Sequence, residues 1–345
     1  MTGTTAPSPW LPTAPCTPAR CAAHPDPDTG HTARTAGAAL AAARLAAGIA
    51  VVLLGILCVP AARLLPAPAR LALVRYWVRA VVRAFGVRAR LAGRPDPAGR
   101  PLLVVANHVS WLDIPLLAAV LPGRMVAKTE VRRWPVLGAL AVLGGTLFID
   151  RDRLRALPGT VRAMAAVLAG GGRVIVFPEG STWCGRAGGR FRPAAFQAAL
   201  DGGADVQPVR IDYRPTDAAA YVGDDPLGAS LWRLVATRGV TADVRLLEPI
   251  PGARHPDRRS LAAAAQRAVT EAGPAATPPA ASPRALAPRA VPPPATPRAY
   301  APPAAAPLVV AQRAVASERA NLPSSSVHQR DRSSPASASS SRTPV

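Results

Sequence analysis

A histidine followed five positions later by an aspartate is the first candidate for chemistry in this sequence. His108 and Asp113 lie in NHVSWLD, directly after the apolar run LLVVA. A carboxylate that accepts the proton of one imidazole nitrogen fixes the tautomer of the ring and leaves the other nitrogen to act as a base. The stretch from Ser110 to Asp113 also fits a helix capping box, in which Asp113 would only accept backbone hydrogen bonds. Both interpretations of Asp113 stay open at the level of sequence.

A second block, GTLFIDR at residues 145–151, ends another apolar run with two charged residues. Asp150 and Arg151 follow the run directly, and an arginine can bind a phosphate group through two parallel hydrogen bonds. Considered by itself, the block is better explained by a surface ion pair between Arg151 and Asp152. The block is informative because it follows a predicted strand, as the first block also does.

A third block, FPEGSTW at residues 177–183, also follows an apolar run. Gly180 allows the backbone to approach a ligand closely, and Glu179 could orient an arginine or hydrogen-bond the headgroup of an acceptor. Ser181 does not lie in a GxSxG sequence, so the block does not indicate the nucleophile of a serine hydrolase. A simple turn from strand to loop would also explain this block.

These blocks need a scaffold that brings the ends of separate strands together. From residue 102 the hydrophobic pattern alternates between short apolar runs and amphipathic stretches. This predicts an α/β domain with a mostly parallel central sheet flanked by helices, in which ligands gather at the carboxyl ends of the strands. The predicted strands are 102–107, 124–128, 146–150, 173–180, 205–214 and 240–250, and the predicted helices are 111–121, 134–143, 158–171, 193–203 and 257–272.

Composition confines the folded domain to the middle of the 345-residue chain. Residues 1–35 and 274–345 are rich in Pro, Ala, Ser and Thr. Such segments bury too little apolar surface to offset the entropy of ordering them. We therefore predict a disordered leader over 1–35, a folded domain over 64–273 and a disordered tail over 274–345.

A stretch without charged residues, 45–62, precedes the predicted domain. Its 18 residues would measure about 27 Å as a helix, close to the thickness of the hydrocarbon core of a bilayer. We predict a membrane-spanning or membrane-inserted helix over 36–63, and a buried core helix is the alternative. The excess of arginine after this helix predicts that the domain lies on the cytoplasmic side of the plasma or inner membrane.

The residues after the apolar stretch predict a basic amphipathic helix. Arg75, Arg79 and Arg83 are four positions apart and share one helix face, while Trp77 and apolar residues occupy much of the remainder. Such a helix tends to lie on anionic lipid; an ordinary surface helix with solvated arginines is the alternative.

The charge balance and the cysteines narrow the class of protein. Lys and Arg number 41 against 20 Asp and Glu, which indicates a nucleic acid or an anionic membrane surface as a partner. Zinc-finger spacing, RNA-binding aromatic motifs and basic zippers are absent from the sequence, so we predict the membrane surface and no nucleic acid. The four cysteines form no CxxC pair, which predicts neither a metal site nor a disulfide framework.

The order of the blocks resembles the glycerolipid acyltransferase family typified by bacterial 1-acylglycerol-3-phosphate acyltransferases, over about residues 70–250. The family's His-x4-Asp block is matched by His108 and Asp113, with Asn107 and Ser110 also in pattern. Its later blocks are matched by Phe148–Arg151, by Phe177–Gly180 and by the apolar stretch around Pro208. Lys128, the one lysine of the chain, sits before WPVLG as in relatives.

The resemblance implies an O-acyltransferase that moves a fatty acyl group from acyl-CoA or acyl carrier protein to the hydroxyl of a lysophospholipid. The thioester is already reactive, so no metal and no cofactor is expected. His108 would be the base and Asp113 would orient it. The expected substrate-binding residues are Asn107, Ser110, Lys128, Arg151, Glu179, Gly180, Ser181 and Thr182.

One departure from the family pattern affects the acceptor. Many phosphatidate-forming members carry arginine two residues after the glycine of the third block, where this chain has Thr182. The expected acceptor is 1-acylglycerol-3-phosphate, and the alternatives are another lyso-lipid such as lyso-ornithine lipid, an inactive lipid-binding relative or a lipid hydrolase.

Overall fold

A seven-stranded mixed sheet forms the centre of the protein in the computed structural model, which describes residues 13–22, 35–93, 100–134, 137–150 and 153–273. The strand order is β1-β7-β6-β2-β5-β3-β4, and the β6–β7 pair is antiparallel whereas the other pairs are parallel. The strands are β1 (Arg88–Ala92), β2 (Leu102–Ala106), β3 (Arg124–Lys128), β4 (Leu147–Ile149), β5 (Arg173–Val176), β6 (Asp205–Arg214) and β7 (Thr241–Leu246).

Helices cover both faces of the sheet. They are α1 (Ala38–Leu57), α2 (Val59–Arg63), α3 (Ala67–Ala84), α4 (Asp113–Val120), α5 (Leu137–Leu143), α6 (Leu157–Ala169), α7 (Ala194–Asp201), α8 (Thr216–Ala219), α9 (Leu227–Ala236) and α10 (Arg258–Glu271). Every residue of β2 is buried, and its side chains alternate between two apolar clusters. Leu102 and Val104 pack with α3, α4 and α9, whereas Leu103 and Val105 pack with α6, α7 and α10. A strand buried on both faces explains the uninterrupted apolar run in the sequence.

The predicted fold class is confirmed, and the structure adds elements that the pattern did not show. The six predicted strands and five predicted helices all occur, with ends that differ by a few residues. Strand β1, RARLA, was missed because it pairs with β7 at the edge of the sheet and keeps polar residues on a half-exposed strand. Helix α9, which packs on the core through Leu234 and Val235, was also missed.

The apolar helix α1 packs against the basic helix α3. The indole Nε1 of Trp77 donates to the backbone oxygen of Val51 at 2.8 Å. Gly55 faces the same indole, and a Cβ at that position would lie 2.1 Å from the ring. Glycine is therefore needed for the close approach of the two helices.

Both ends of this helix pair, α1 with α3, are attached to the same domain. At the start of α1, the backbone nitrogen of Ala36 donates to Ala236 at 2.6 Å, and Arg44 donates to the backbone oxygens of Val235 and Thr237 at 3.0 Å each. At the end of α3, Val82 and other apolar residues join the core of the domain. Residues 35–36 and the domain therefore lie on the same side of the helix pair.

Helix α1 is long and apolar enough to cross a bilayer by length and composition, with a mean hydropathy of 2.3 and little burial inside the protein. The exposed apolar side chains concentrate at the end of the helix pair that points away from the domain. They include Leu53, Leu54, Leu57 and Leu64, and Leu64 is 87% exposed.

Part of the predicted leader is ordered. Residues 18–22 form one turn of π-helix, and Cys16 is buried against Cys184 and Val222. This differs from the prediction of a leader disordered over 1–35, because apolar contacts to the loop after β5 hold this segment. The remainder of the leader, apart from Thr35, and the whole predicted tail lie outside the described residues.

Candidate active site

The carboxylate of Asp113 faces the imidazole of His108. The Nδ1 atom of His108 lies 2.8 Å from Oδ2 of Asp113. The Asp113 side chain is fully buried, whereas 17% of the His108 side chain is exposed. Both residues follow β2 at the carboxyl edge of the sheet, which is where ligands bind in folds of this class. The pair is thus buried at the carboxylate and open at the imidazole.

Asp113 also accepts backbone hydrogen bonds, so both sequence interpretations of this residue are met in part. Its Oδ2 accepts from the backbone nitrogens of Val109 and Ser110 at 2.7 and 2.9 Å. These donors precede α4, and the helix has no side-chain cap at Leu112, so a capping box is not formed. The carboxylate therefore fixes the loop that carries His108 and binds the His108 ring at the same time.

Tyr213 completes the surroundings of Asp113, and sequence reasoning missed it. Its phenol donates to Oδ1 of Asp113 at 2.5 Å. Burial raises the pKa of Tyr213 well above its usual value, and the adjacent negative charge of Asp113 adds to this, so the phenol remains a donor. The alternation of β6 carried a signal for this contact. Val209, Ile211 and Tyr213 share one face of the strand, and Tyr213 lies four residues past Val209, which pairs with the end of β2.

The third block holds the backbone of His108 from the neighbouring strand. Strand β5 pairs with β2, so the block that follows β5 lies beside His108. The carboxylate of Glu179 accepts from the backbone nitrogens of His108 at 3.0 Å and Gly189 at 3.1 Å. The ring of Phe177 stacks on the imidazole, with centroids 4.0 Å apart, and the backbone nitrogen of Trp183 donates to the His108 oxygen at 2.7 Å. The imidazole is therefore held by its ring face as well as by its backbone.

Burial raises the pKa of the Glu179 carboxyl to about 7. The hydrogen bonds from His108 and Gly189 act in the opposite direction, and the nearby charge of Asp113 adds to the rise. Glu179 therefore changes its protonation near neutral pH while it holds the backbone of His108.

Three of the predicted substrate-binding residues make hydrogen bonds inside the protein. Asn107 bridges β2 and β6 by donating to the Ile211 oxygen and accepting from the Ile211 nitrogen, both at 2.8 Å. Ser110 is fully buried and accepts from the backbone of Leu112. Glu179 is 5% exposed and uses both oxygens on backbone donors. These polar atoms position the loop after β2, and a contact of the three residues with the substrate stays a prediction.

The remaining predicted residues that the structure describes follow strands β3 and β5 at the carboxyl edge. Lys128 is the last residue of β3, and its Nζ atom lies 5.9 Å from the centroid of the Trp134 ring. Gly180 has a positive φ of 75°, which explains the need for glycine in the turn. Ser181 and Thr182 are partly buried beside it. Arg151 lies outside the described residues; β4, which precedes it, is three strands from β2, about 14 Å along the edge.

Comparisons with known proteins agree with this arrangement. A family model described as acyltransferase matches residues 89–212. A lyso-ornithine lipid O-acyltransferase from Pseudomonas aeruginosa is 40% identical over 206 residues, which cover 59% of this chain and 78% of that protein. A 1-acyl-sn-glycerol-3-phosphate acyltransferase from Neisseria gonorrhoeae is 38% identical over 175 residues, which cover 49% of this chain and 68% of that protein.

The chain belongs to the acyltransferase family.

The acyltransferase fold is also seen in a solved structure. The crystal structure of the 1-acyl-sn-glycerophosphate acyltransferase PlsC from Thermotoga maritima aligns with a TM-score of 0.54 and 23% identity, over 68% of this chain and 93% of that chain. This structure confirms the fold, and the relatives confirm the predicted family and the predicted O-acyltransferase activity on a lysolipid.

We predict that Tyr213→Phe lowers kcat/KM by about 10- to 100-fold, because a hydrogen bond to a charged group contributes about 1.5–3 kcal/mol. The variant keeps the ring and removes only the donor to Asp113. Steady-state acyl transfer in detergent micelles would measure the effect, with Tyr76→Phe, at a tyrosine that is 72% exposed, as the matched control. Equal activity of both variants and the unmodified enzyme would contradict the role given to Tyr213.

We predict that the stability of the enzyme falls, relative to Glu179→Gln, as the pH rises from about 4.5 to about 7. The folded-state pKa of Glu179 is raised from 4.5 to about 7, so its favourable contribution is full below pH 4.5 and is lost as the pH rises through about 7. Thermal unfolding of both proteins across this pH range would show it. A difference between the two that does not depend on pH would refute the shift.

Proposed function

We propose that His108 is the general base for transfer of a fatty acyl group from a thioester to the hydroxyl of a lysolipid. One observation carries this proposal: Nδ1 of His108 is held by the buried Asp113, and the exposed part of the ring opens at the carboxyl edge of the sheet. Among the described residues, no hydrogen bond engages Nε2, so this nitrogen is available to an acceptor hydroxyl.

The proposed reaction is a direct transfer. The acceptor hydroxyl gives its proton to Nε2 of His108 while its oxygen forms a bond to the thioester carbonyl carbon. The carbon–sulfur bond then breaks, and the proton returns from His108 to the leaving thiolate. Asp113 stabilises the imidazolium that forms between these steps. General-base help of this kind contributes about 10²–10⁴-fold, or about 3–5 kcal/mol of barrier. The step uses this chain's own residues, and no metal or cofactor is proposed for it.

We propose lyso-ornithine lipid as the acceptor. Thr182 stands where many phosphatidate-forming relatives have arginine, and a phosphate monoester depends more on such a cation than an ornithine headgroup does, since the latter carries one carboxylate and one ammonium. The lyso-ornithine relative also aligns over 206 residues against 175 for the phosphatidate-forming one. The second candidate is 1-acylglycerol-3-phosphate, supported by the 38% identity to the Neisseria protein.

The proposed donor is acyl-CoA or acyl carrier protein. Both carry negative charge, and the formal net charge of the chain is +21, which favours their approach. Both are cytoplasmic, so we place the catalytic edge on the cytoplasmic side of the membrane.

We propose that the helix pair inserts into one leaflet rather than spanning the bilayer. The domain holds the start of α1 and the end of α3. If α1 spanned the bilayer, α3 would therefore have to cross it in the opposite direction. Arg63 and Arg70 lie near the far end of the pair, and a charge at the centre of a bilayer costs several kcal/mol. A tilted, interfacial position buries the exposed leucines and leaves both arginines in reach of headgroups.

A group of arginines on α3 supports contact with anionic lipid. Arg75 lies close enough to Arg79 and Arg173 to be repelled by their charges. The Nε atoms of Arg75 and Arg79 are buried and lack a hydrogen-bond partner among the described residues. An anionic headgroup beside these side chains would supply the opposite charge.

We predict that His108→Ala lowers the rate of acyl transfer by at least about 100-fold without unfolding the domain. His255→Ala, which changes a histidine outside the site, should keep full activity. The assay follows the labelled acyl group of acyl-CoA or of acyl carrier protein in separate reactions with purified enzyme in lipid micelles, and circular dichroism checks the fold.

Full transfer by His108→Ala would refute the assignment, and release of free fatty acid without an acceptor would indicate a hydrolase. If the unmodified enzyme binds lipid but transfers no acyl group, the chain is an inactive relative.

We predict that kcat/KM of the unmodified enzyme is at least about 10-fold higher with lyso-ornithine lipid than with 1-acylglycerol-3-phosphate, which corresponds to about 1.4 kcal/mol. Thr182→Arg should narrow this ratio by improving the second acceptor, because the added guanidinium can bind the phosphate. Thr270→Arg, which places the same charge at an exposed position on α10, serves as the control. Preference for the phosphate acceptor by the unmodified enzyme would overturn this choice of acceptor and leave the role of His108 intact.

A further inference from the structure

Two cysteines near the start of the chain meet a third, more than 160 residues later, beside the third block. Cys16 and Cys21 belong to the ordered segment 13–22, and Cys184 belongs to the loop after β5. Their sulfur atoms all lie within 4.8 Å of one another. Cys16 and Cys184 are 5% and 7% exposed, and Cys21 is partly buried. The sequence predicted no metal site because the cysteines form no CxxC pair, and the fold brings Cys184 beside Cys16 and Cys21.

Local structure on both sides presents the sulfurs to one point. The turn of π-helix at residues 18–22, with the backbone nitrogen of Cys21 donating to Thr17 at 2.9 Å, brings Cys21 back beside Cys16. On the other side, the loop turns at Gly185, whose φ of 84° favours glycine. The backbone nitrogens of Arg186 and Ala187 then donate to the sulfur of Cys184.

Apolar packing explains only part of this arrangement. Buried cysteines often behave as small apolar residues, and Val222 and Ala14 do pack against these three. Packing gives no reason for two backbone donors and two thiols to converge on one sulfur.

We propose that Cys16, Cys21 and Cys184 bind a thiophilic divalent metal ion, Zn²⁺, with a water molecule at the fourth position. Thiolates select zinc and other soft ions, and Zn–S bonds of about 2.3 Å in a tetrahedral site put the sulfurs about 3.8 Å apart. The present separations therefore need to contract by about 1 Å at most. Each thiol that binds releases its proton to solvent, and Zn²⁺ undergoes no redox change.

The metal site would stabilise the loop that holds His108. Cys184 lies between Trp183, whose backbone nitrogen donates to the His108 oxygen, and Gly189, whose backbone nitrogen donates to Glu179. A metal ion that joins this loop to segment 13–22 would restrict both contacts. The site lies outside the proposed acyl-transfer chemistry, and its role is structural.

The test is metal analysis of the purified full-length protein. After incubation with Zn²⁺ and removal of free metal, we expect about one equivalent of zinc per chain in the unmodified protein. Cys16→Ser, Cys21→Ser and Cys184→Ser should each lose it, whereas Cys58→Ser, at the exposed fourth cysteine, should keep it. Co²⁺ in place of Zn²⁺ should give thiolate-to-cobalt absorption that disappears in the same three variants.

Two outcomes would overturn the proposal. Equal zinc content in Cys58→Ser and the three site variants would show that the metal binds elsewhere. Absence of bound metal, with the thiols free to alkylation or joined in a disulfide by mass spectrometry, would exclude a metal site. Because Cys184→Ser could unfold the loop, the partly buried Cys21→Ser is the deciding variant, and its melting temperature without metal should match that of the unmodified protein without metal.

Discussion

The rest of the site depends on one buried charge, the carboxylate of Asp113. Burying a charged carboxylate away from water destabilises the fold by several kcal/mol unless hydrogen-bond donors compensate for the lost water. Four groups do so: the imidazole of His108, the backbone nitrogens of Val109 and Ser110, and the phenol of Tyr213. Because these donors come from the loop after β2 and from β6, satisfying the charge also fixes the direction of the imidazole.

A second carboxylate, that of Glu179, repeats this logic from the neighbouring strand. It binds the backbone nitrogen of His108 from one side, while Asp113 binds the ring from the other. Parallel pairing of β2 with β5 is what brings the two blocks to the same edge. The enzyme thus uses residues of the first and third blocks to position one histidine, and the exposed imidazole is left to meet a lipid hydroxyl. The helix pair is attached to the same domain, and in our proposal it inserts into one leaflet of the membrane.

Much of the fold could be predicted from the sequence, because its signals are local. The uninterrupted apolar run of β2 and the alternation of strands and helices indicate a sheet covered on both faces, and the block spacing indicates the edge where His108 and Asp113 meet. Contacts between distant parts of the chain were not predictable. The hydrogen bond of Tyr213 to Asp113 spans 100 residues, and the meeting of Cys16 with Cys184 depends on a leader that composition alone described as disordered. The engagement of Asn107 by Ile211 likewise depends on strand order.

The orientation of the His108 imidazole is the central claim, and ¹⁵N NMR of histidine-labelled enzyme tests it most directly. Subtracting the spectrum of His108→Ala isolates the ring signals of this residue from those of the other histidines. With the neutral ring, Nδ1 should carry the proton that is donated to Asp113, and Nε2 should appear unprotonated and able to accept a proton. A neutral ring with its proton on Nε2 would contradict the account, because that nitrogen could not take the proton of an acceptor hydroxyl.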